Sequence, residues 1–174
     1  MRNAFKIIFL VMLYPIFSLA KNTRSNFTLP SKVEVTIIEA PFYKNKFKIE
    51  KCSGNTDVCR INGKIPFGTT FYLPKTYVKS IVISFQGKSY ALDVSNMYDA
   101  WRNSPLEYSK GSRYFGGKCF DVKNCQFRGI FSDAAGAFVA EWIIANGRQF
   151  RTVLTDRDDV VGLFMKNIDP PEYE

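Results

Sequence analysis

Histidine is absent from all 174 residues. That removes the usual general base near neutral pH, the commonest metal ligand and the middle member of Ser-His-Asp and Cys-His sites. Neither cysteine pair has CxxC spacing, so a zinc site lacks both its spacing and its histidines. No P-loop is present, because Gly116-Gly117-Lys118 lacks the leading glycine spacing and the following Ser or Thr, and it reads as a flexible bend. Long linkers, repeats and low-complexity tracts are missing too, and the length suits one domain with a real core. No apolar run reaches the roughly 20 residues that a membrane-crossing helix needs.

The longest such run, Ile7 to Leu13, sits instead in an export signal. Arg2 and Lys6 precede it, Pro15 breaks it, and Ser18-Leu19-Ala20 places small residues three and one positions before a cut. Residues 1–20 are therefore expected to be a cleavable leader and not an anchor. With no cysteine near the cut to carry lipid, the product is expected in the periplasm or outside the cell. Losing Arg2 and Lys6 takes the formal charge from +8 to +6. Nucleic acid is not an expected partner in that location. Asn26-Phe27-Thr28 would be a glycosylation acceptor in a eukaryotic secretory route; here it is read as chance.

Cysteine is sparse but even in number, which in an exported chain favours disulfides. Three connectivities are open. Cys52 with Cys59 and Cys119 with Cys125 is the favoured one, because each pair flanks turn formers, Ser53-Gly54-Asn55 and Asp121 to Asn124. Loops this short contribute about 2 to 2.5 kcal/mol each in the chain-entropy model.

Residues 21–31 read as a flexible lead-in and 32–174 as a single β-rich domain. Val33, Val35 and Ile37 alternate with Glu34 and Thr36, and a strand over 44–51 is expected to pair with them across the Pro41 turn. Asn62-Gly63 and Asn146-Gly147 are type I′ hairpin signals. Gln86-Gly87 turns the Ile81, Ile83, Phe85 strand back into Tyr90, Leu92 and Val94. A meander follows through Gln126 to Phe131, a turn over Asp133 to Gly136, Phe138 to Ile144 and Arg148 to Leu154. Ser95 is expected to cap a short helix bearing Met97 and Trp101, and Thr155 to cap a last helix whose stripe is Val160, Val161, Phe164 and Ile168. The fold class is mainly β: an antiparallel sandwich or partly open barrel with a short middle helix and a C-terminal helix.

No catalytic residue, cofactor or metal is assigned. Asp156, Asp158 and Asp159 are explained by a helix start, and Asp133 by a turn. Two features point to binding. The irregular stretch from Ser95 to Gly117 carries Trp101, Arg102, Tyr108, Arg113 and Tyr114, residue types that dominate interface hot spots; the bland reading is that Met97, Trp101 and Phe115 fold over the core. The second feature is a set of lysines, Lys44, Lys46, Lys48, Lys51, Lys64, Lys75, Lys79 and Lys88, interleaved with Tyr43, Phe47, Tyr72 and Tyr77. Strand alternation puts Lys44, Lys46 and Lys48 on one face for an anionic partner, or leaves them as edge lysines that prevent aggregation. The expected function is that of an exported, non-enzymatic inhibitor or immunity-type protein that occludes an envelope-acting enzyme or toxin. The alternatives are a module for an anionic envelope glycan or polymer, and a carboxylate-dependent, glycan-cleaving enzyme.

Overall fold

The computed structural model describes residues 21–52, 57–101, 111, 113–132 and 136–170. The leader, Arg102, Tyr108, the turn residues Ser53-Gly54-Asn55 and Asp133 lie outside them. The fold is mainly β and sandwich-like, not a closed barrel. One sheet has the order β1 (Thr23–Thr28), β2 (Glu34–Pro41), β5 (Thr76–Phe85), β6 (Lys88–Leu92). The other is a meander of β7 (Phe115–Asp121), β8 (Asn124–Phe131), β9 (Phe138–Ala145) and β10 (Arg148–Thr155). A separate hairpin, β3 (Ile49–Lys51) with β4 (Val58–Ile61), is inserted between β2 and β5.

Alternation explains the layers. Val35 and Ile37 on β2 face inward with their partners Ile83 and Ile81 on β5. The second sheet answers with Phe115, Phe127, Phe131, Phe138 and Trp142, all essentially without solvent contact. In β5 the register skips Lys79, so Val78 and Ile81, three residues apart, both reach the core.

Several local expectations hold. Asn62, Gly63, Gln86, Gly87, Asn146 and Gly147 all have positive φ, as paired type I′ positions require. Both disulfides join Cys52 to Cys59 and Cys119 to Cys125, which fits an oxidising compartment. Helix α1 (Asp158–Lys166) lays Val161 and Phe164 against Ile130 and Val139 on the outer face of the second sheet.

Other expectations are corrected. The lead-in is not loose: residues 23–28 form an edge strand because Ser25 and Phe27 alternate inward beside β2. β2 does not pair with 44–51; its two edges are taken by β1 and β5, which bury more apolar surface against it. Gly116-Gly117-Lys118 lies within β7, not in a bend, and glycine is needed there for close approach. An added Cβ at Gly116 would stand 2.3 Å from the Ile168 carbonyl oxygen. No helix forms at Ser95 to Trp101, where Met97 bridges Phe67 and Tyr98 bridges Tyr77; Gly111, Arg113 and Tyr114 are helical instead. Thr155 ends β10, accepting a hydrogen bond from the Arg157 amide, and Arg157 is the residue that precedes the helix.

Candidate functional site

Of the sequence-derived contact set, Trp101, Arg113 and Tyr114 are among the described residues and Arg102 and Tyr108 are not. Trp101 is half-buried, its ring 5.6 Å from Phe115 and 5.4 Å from Phe131, and its amide donates to Glu39 Oε1. Tyr114 packs against both the main core and the helix cluster. Arg113 is exposed, with its guanidinium 5.5 Å from the Tyr114 ring centre. Trp101 and Tyr114 are therefore committed to packing, as the bland reading held.

The lysine trio is not a strand face either. Lys44 and Lys46 lie in a 3₁₀ turn, Lys44–Lys46, because the chain must bend between β2 and the inserted hairpin. Lys46 Nζ sits 5.0 Å from the Tyr43 ring centre, and Lys48 pairs with Glu50 at 3.3 Å.

Two buried acids deserve scrutiny as chemistry. Glu39 and Asp99 converge on Thr76, whose hydroxyl donates to Glu39 Oε1. Asp99 Oδ1 accepts the Lys75 and Thr76 amides at 2.8 and 2.9 Å. Glu39 Oε1 and Asp99 Oδ1 are occupied by the protein's own donors, so the group joins the end of the first sheet to the 99–101 segment. Among the described residues, no group of three or more His, Cys, Asp or Glu is placed to hold a metal, and no helix is long and apolar enough to cross a membrane.

The two most exposed aromatic side chains among the described residues lie elsewhere, on the loop between β4 and β5. Phe71 and Tyr72 are 65% and 73% exposed, and Ile65 and Leu73 add to the same apolar projection. Phe71 has φ +63, a strained conformation for an aromatic residue that costs about 1–3 kcal/mol. The loop is held at both ends. The Phe71 carbonyl accepts the Val58 amide of β4 at 2.7 Å, and Phe67 exchanges backbone hydrogen bonds with Asn96 and Tyr98. The hairpin beneath it is braced by the Cys52–Cys59 bridge and docks through Phe42 stacked on Phe47, with Tyr77 and Tyr98 edge-on to Phe47. Lys64 and Lys75 flank the projection.

Gly68 is the hinge of this arrangement: φ is +89, and an added Cβ would be 2.0 Å from the Tyr98 carbonyl oxygen. Gly68→Ala is expected to detach the loop at a cost above about 1 kcal/mol, seen as faster tryptic cleavage after Lys64 and Lys75. Unchanged cleavage would show that the loop absorbs the clash.

Behind the loop, a cleft of about 280 Å³ opens between the hairpin and the turn that follows β6, lined by Phe47, Asn62, Lys64, Tyr77, Ser95 and Tyr98 among others. The turn after β6, which contributes Ser95 to the lining, is tied to the second sheet. Arg151 donates to the Asp93 and Ser95 carbonyls and pairs with the Asp93 carboxylate at 3.3 Å, while Trp142 Nε1 donates to the Asp93 carbonyl at 2.8 Å. Partial burial works to raise the Asp93 pKa, but hydrogen bonds from Ser95 and the Arg151 charge outweigh it and hold the carboxyl below its ordinary value. Burial pushes the Tyr98 phenol up to about 12. A wider depression of about 430 Å³ beside α1 offers less chemistry, since its Arg128 is neutralised by Glu141 and covers Phe164.

Sequence reasoning missed the projection. Its signal was the short apolar run Phe71-Tyr72-Leu73 before Pro74, too brief for either period to assign a face. Comparison with known proteins finds no matching family model, no matching curated protein and no matching solved structure.

Proposed function

We propose that this protein is an exported, non-enzymatic inhibitor of the immunity type, which neutralises a lytic or toxic enzyme of the cell envelope by occluding its site. The periplasm is the proposed location, reached by removal of residues 1–20. The observation that carries the reading is the Ile65 to Leu73 projection: two exposed aromatic side chains on a strained loop, strapped to a disulfide-braced hairpin and flanked by lysines. Rigid aromatic anchors lose little entropy on binding, and preorganisation lowers the cost of association. Glycan-cleaving enzymes carry paired carboxylates in their clefts, and a basic chain with an apolar tip complements such a cleft in charge and shape. The loop thus replaces Trp101 and Tyr114 as the proposed contact, with Arg113 kept as the comparison.

The test is an inhibition assay. Mature, oxidised protein is added to envelope extracts of its own organism, and lysis of isolated cell walls is followed. Wild type is expected to suppress lysis, Arg113→Ala to match it, and Phe71→Ala with Tyr72→Ala to raise the half-inhibitory concentration about 100-fold or more, as two hot-spot truncations do. Both side chains are exposed, so thermal stability should stay within about 0.5 kcal/mol. Lysis unaffected by wild type, or equal inhibition by the double variant, would refute this reading.

A further inference from the structure

The cleft behind the loop has features that inhibition through the projection does not use. Its volume of about 280 Å³ lies at the lower edge of the roughly 300–1,000 Å³ typical of small-molecule sites, which restricts an occupant to about one ring. Tyr98 lines it and is only 5% exposed, yet its hydroxyl makes no hydrogen bond to any described residue. The sole described side-chain polar atom both sealed from solvent and unpartnered is Gln126 Oε1. Tyr98 is not in that state, and the space it lines is this cleft. Lys64, also on the lining, makes no ion pair among the described residues. Asp93 is paired with Arg151 and also feels the Lys64 charge, so the three groups together leave one net positive charge at the cleft. Aromatic side chains at Phe47 and Tyr77 add apolar surface, and Asn62 and Ser95 add polar groups.

We propose that this cleft binds the ring of a sugar acid, with the carboxylate on Lys64, a hydroxyl on the Tyr98 phenol and the C–H face of the ring against the aromatic side chains. A pyranose presents that combination: an apolar face, a polar edge and, in a uronate, one negative charge. The Tyr98 phenol stays protonated at any physiological pH and serves as a donor. The inference is independent of the inhibitor reading, and failure of the lysis assay leaves it standing.

Chemical-shift titration of mature, oxidised protein with sodium glucuronate tests it, with glucose as the uncharged ring and acetate as the ringless anion. Glucuronate at about 10 mM, well above a 1 mM dissociation constant of about −4 kcal/mol, is expected to move the Asn62, Lys64 and Tyr98 amides more than either control. Tyr98→Phe should weaken glucuronate about tenfold, the effect of one buried hydrogen bond, without lowering the melting temperature, since that hydroxyl makes no hydrogen bond to a described residue. Lys64→Gln should reduce glucuronate to the glucose level. No shift at these amides, shifts as large with acetate, or shifts indifferent to both variants would overturn the proposal.

Discussion

Trp142→Ala is expected to destabilise the protein by about 3–5 kcal/mol, the usual range for truncating a fully buried aromatic residue. The Trp142 ring stacks on Phe127 at 5.8 Å and meets Phe131 edge-on at 6.2 Å, with no solvent exposure. Surrounding β-sheet cannot collapse into the space, because Phe127 is held by ladder pairs on both sides and Phe131 by its pair with Phe138. The indole also donates to the Asp93 carbonyl, so the substitution removes one of the ties, alongside those of Gln149 and Arg151, between the second sheet and the cleft turn. Urea denaturation should show a lower midpoint at an unchanged slope. Trp142→Phe should recover part of the loss by refilling the volume while leaving the carbonyl with only the longer Arg151 contact at 3.3 Å. A loss under about 1 kcal/mol for the alanine variant would mean that the core is far more plastic than this packing implies.

Asp99→Ala is the second large effect, about 2–5 kcal/mol, because it strands the buried Lys75 and Thr76 amides at roughly 1–3 kcal/mol each. Asp99 is 8% exposed with φ +42, a conformation that asparagine tolerates and alanine resists. Asp99→Asn keeps an acceptor oxygen and the backbone preference, so it should retain most of the stability in the same denaturation experiment. Equal losses from both variants would place the contribution in the charge and not in the hydrogen bonds to the β5 start.

The difference between the two substitutions separates what local sequence makes visible from what it does not. Trp142 sits in the near-continuous apolar run from Phe138 to Ile144, which reads as a strand from sequence alone. Asp99 does not, because its partners Lys75 and Thr76 are more than 20 residues away and no periodicity links them. The aromatic loop residues divide in the same way. Trp101 and Tyr114 have the composition of an interface, yet the faces they turn to Phe115, Phe131 and the helix cluster are core faces. Composition counts residue types; burial depends on what the rest of the chain brings alongside.

What the sequence by itself determined is whatever is settled within about ten residues. The positive-φ pairs at Asn62-Gly63, Gln86-Gly87 and Asn146-Gly147 turn their strands back because few other residues tolerate that conformation. Cys52 and Cys59, seven positions apart, and Cys119 and Cys125, six apart, are joined across short intervening segments. The stripe of α1 and the meander of the second sheet follow from the same short-range logic. Only the tertiary structure decided that β1 would cover one edge of β2 and β5 the other, that Glu39 and Asp99 would meet at Thr76, and that Phe71 and Tyr72 would face solvent. Local sterics select turns and alternation, whereas the pairing of distant strands is a competition among faces to bury apolar surface, and its outcome depends on every strand at once.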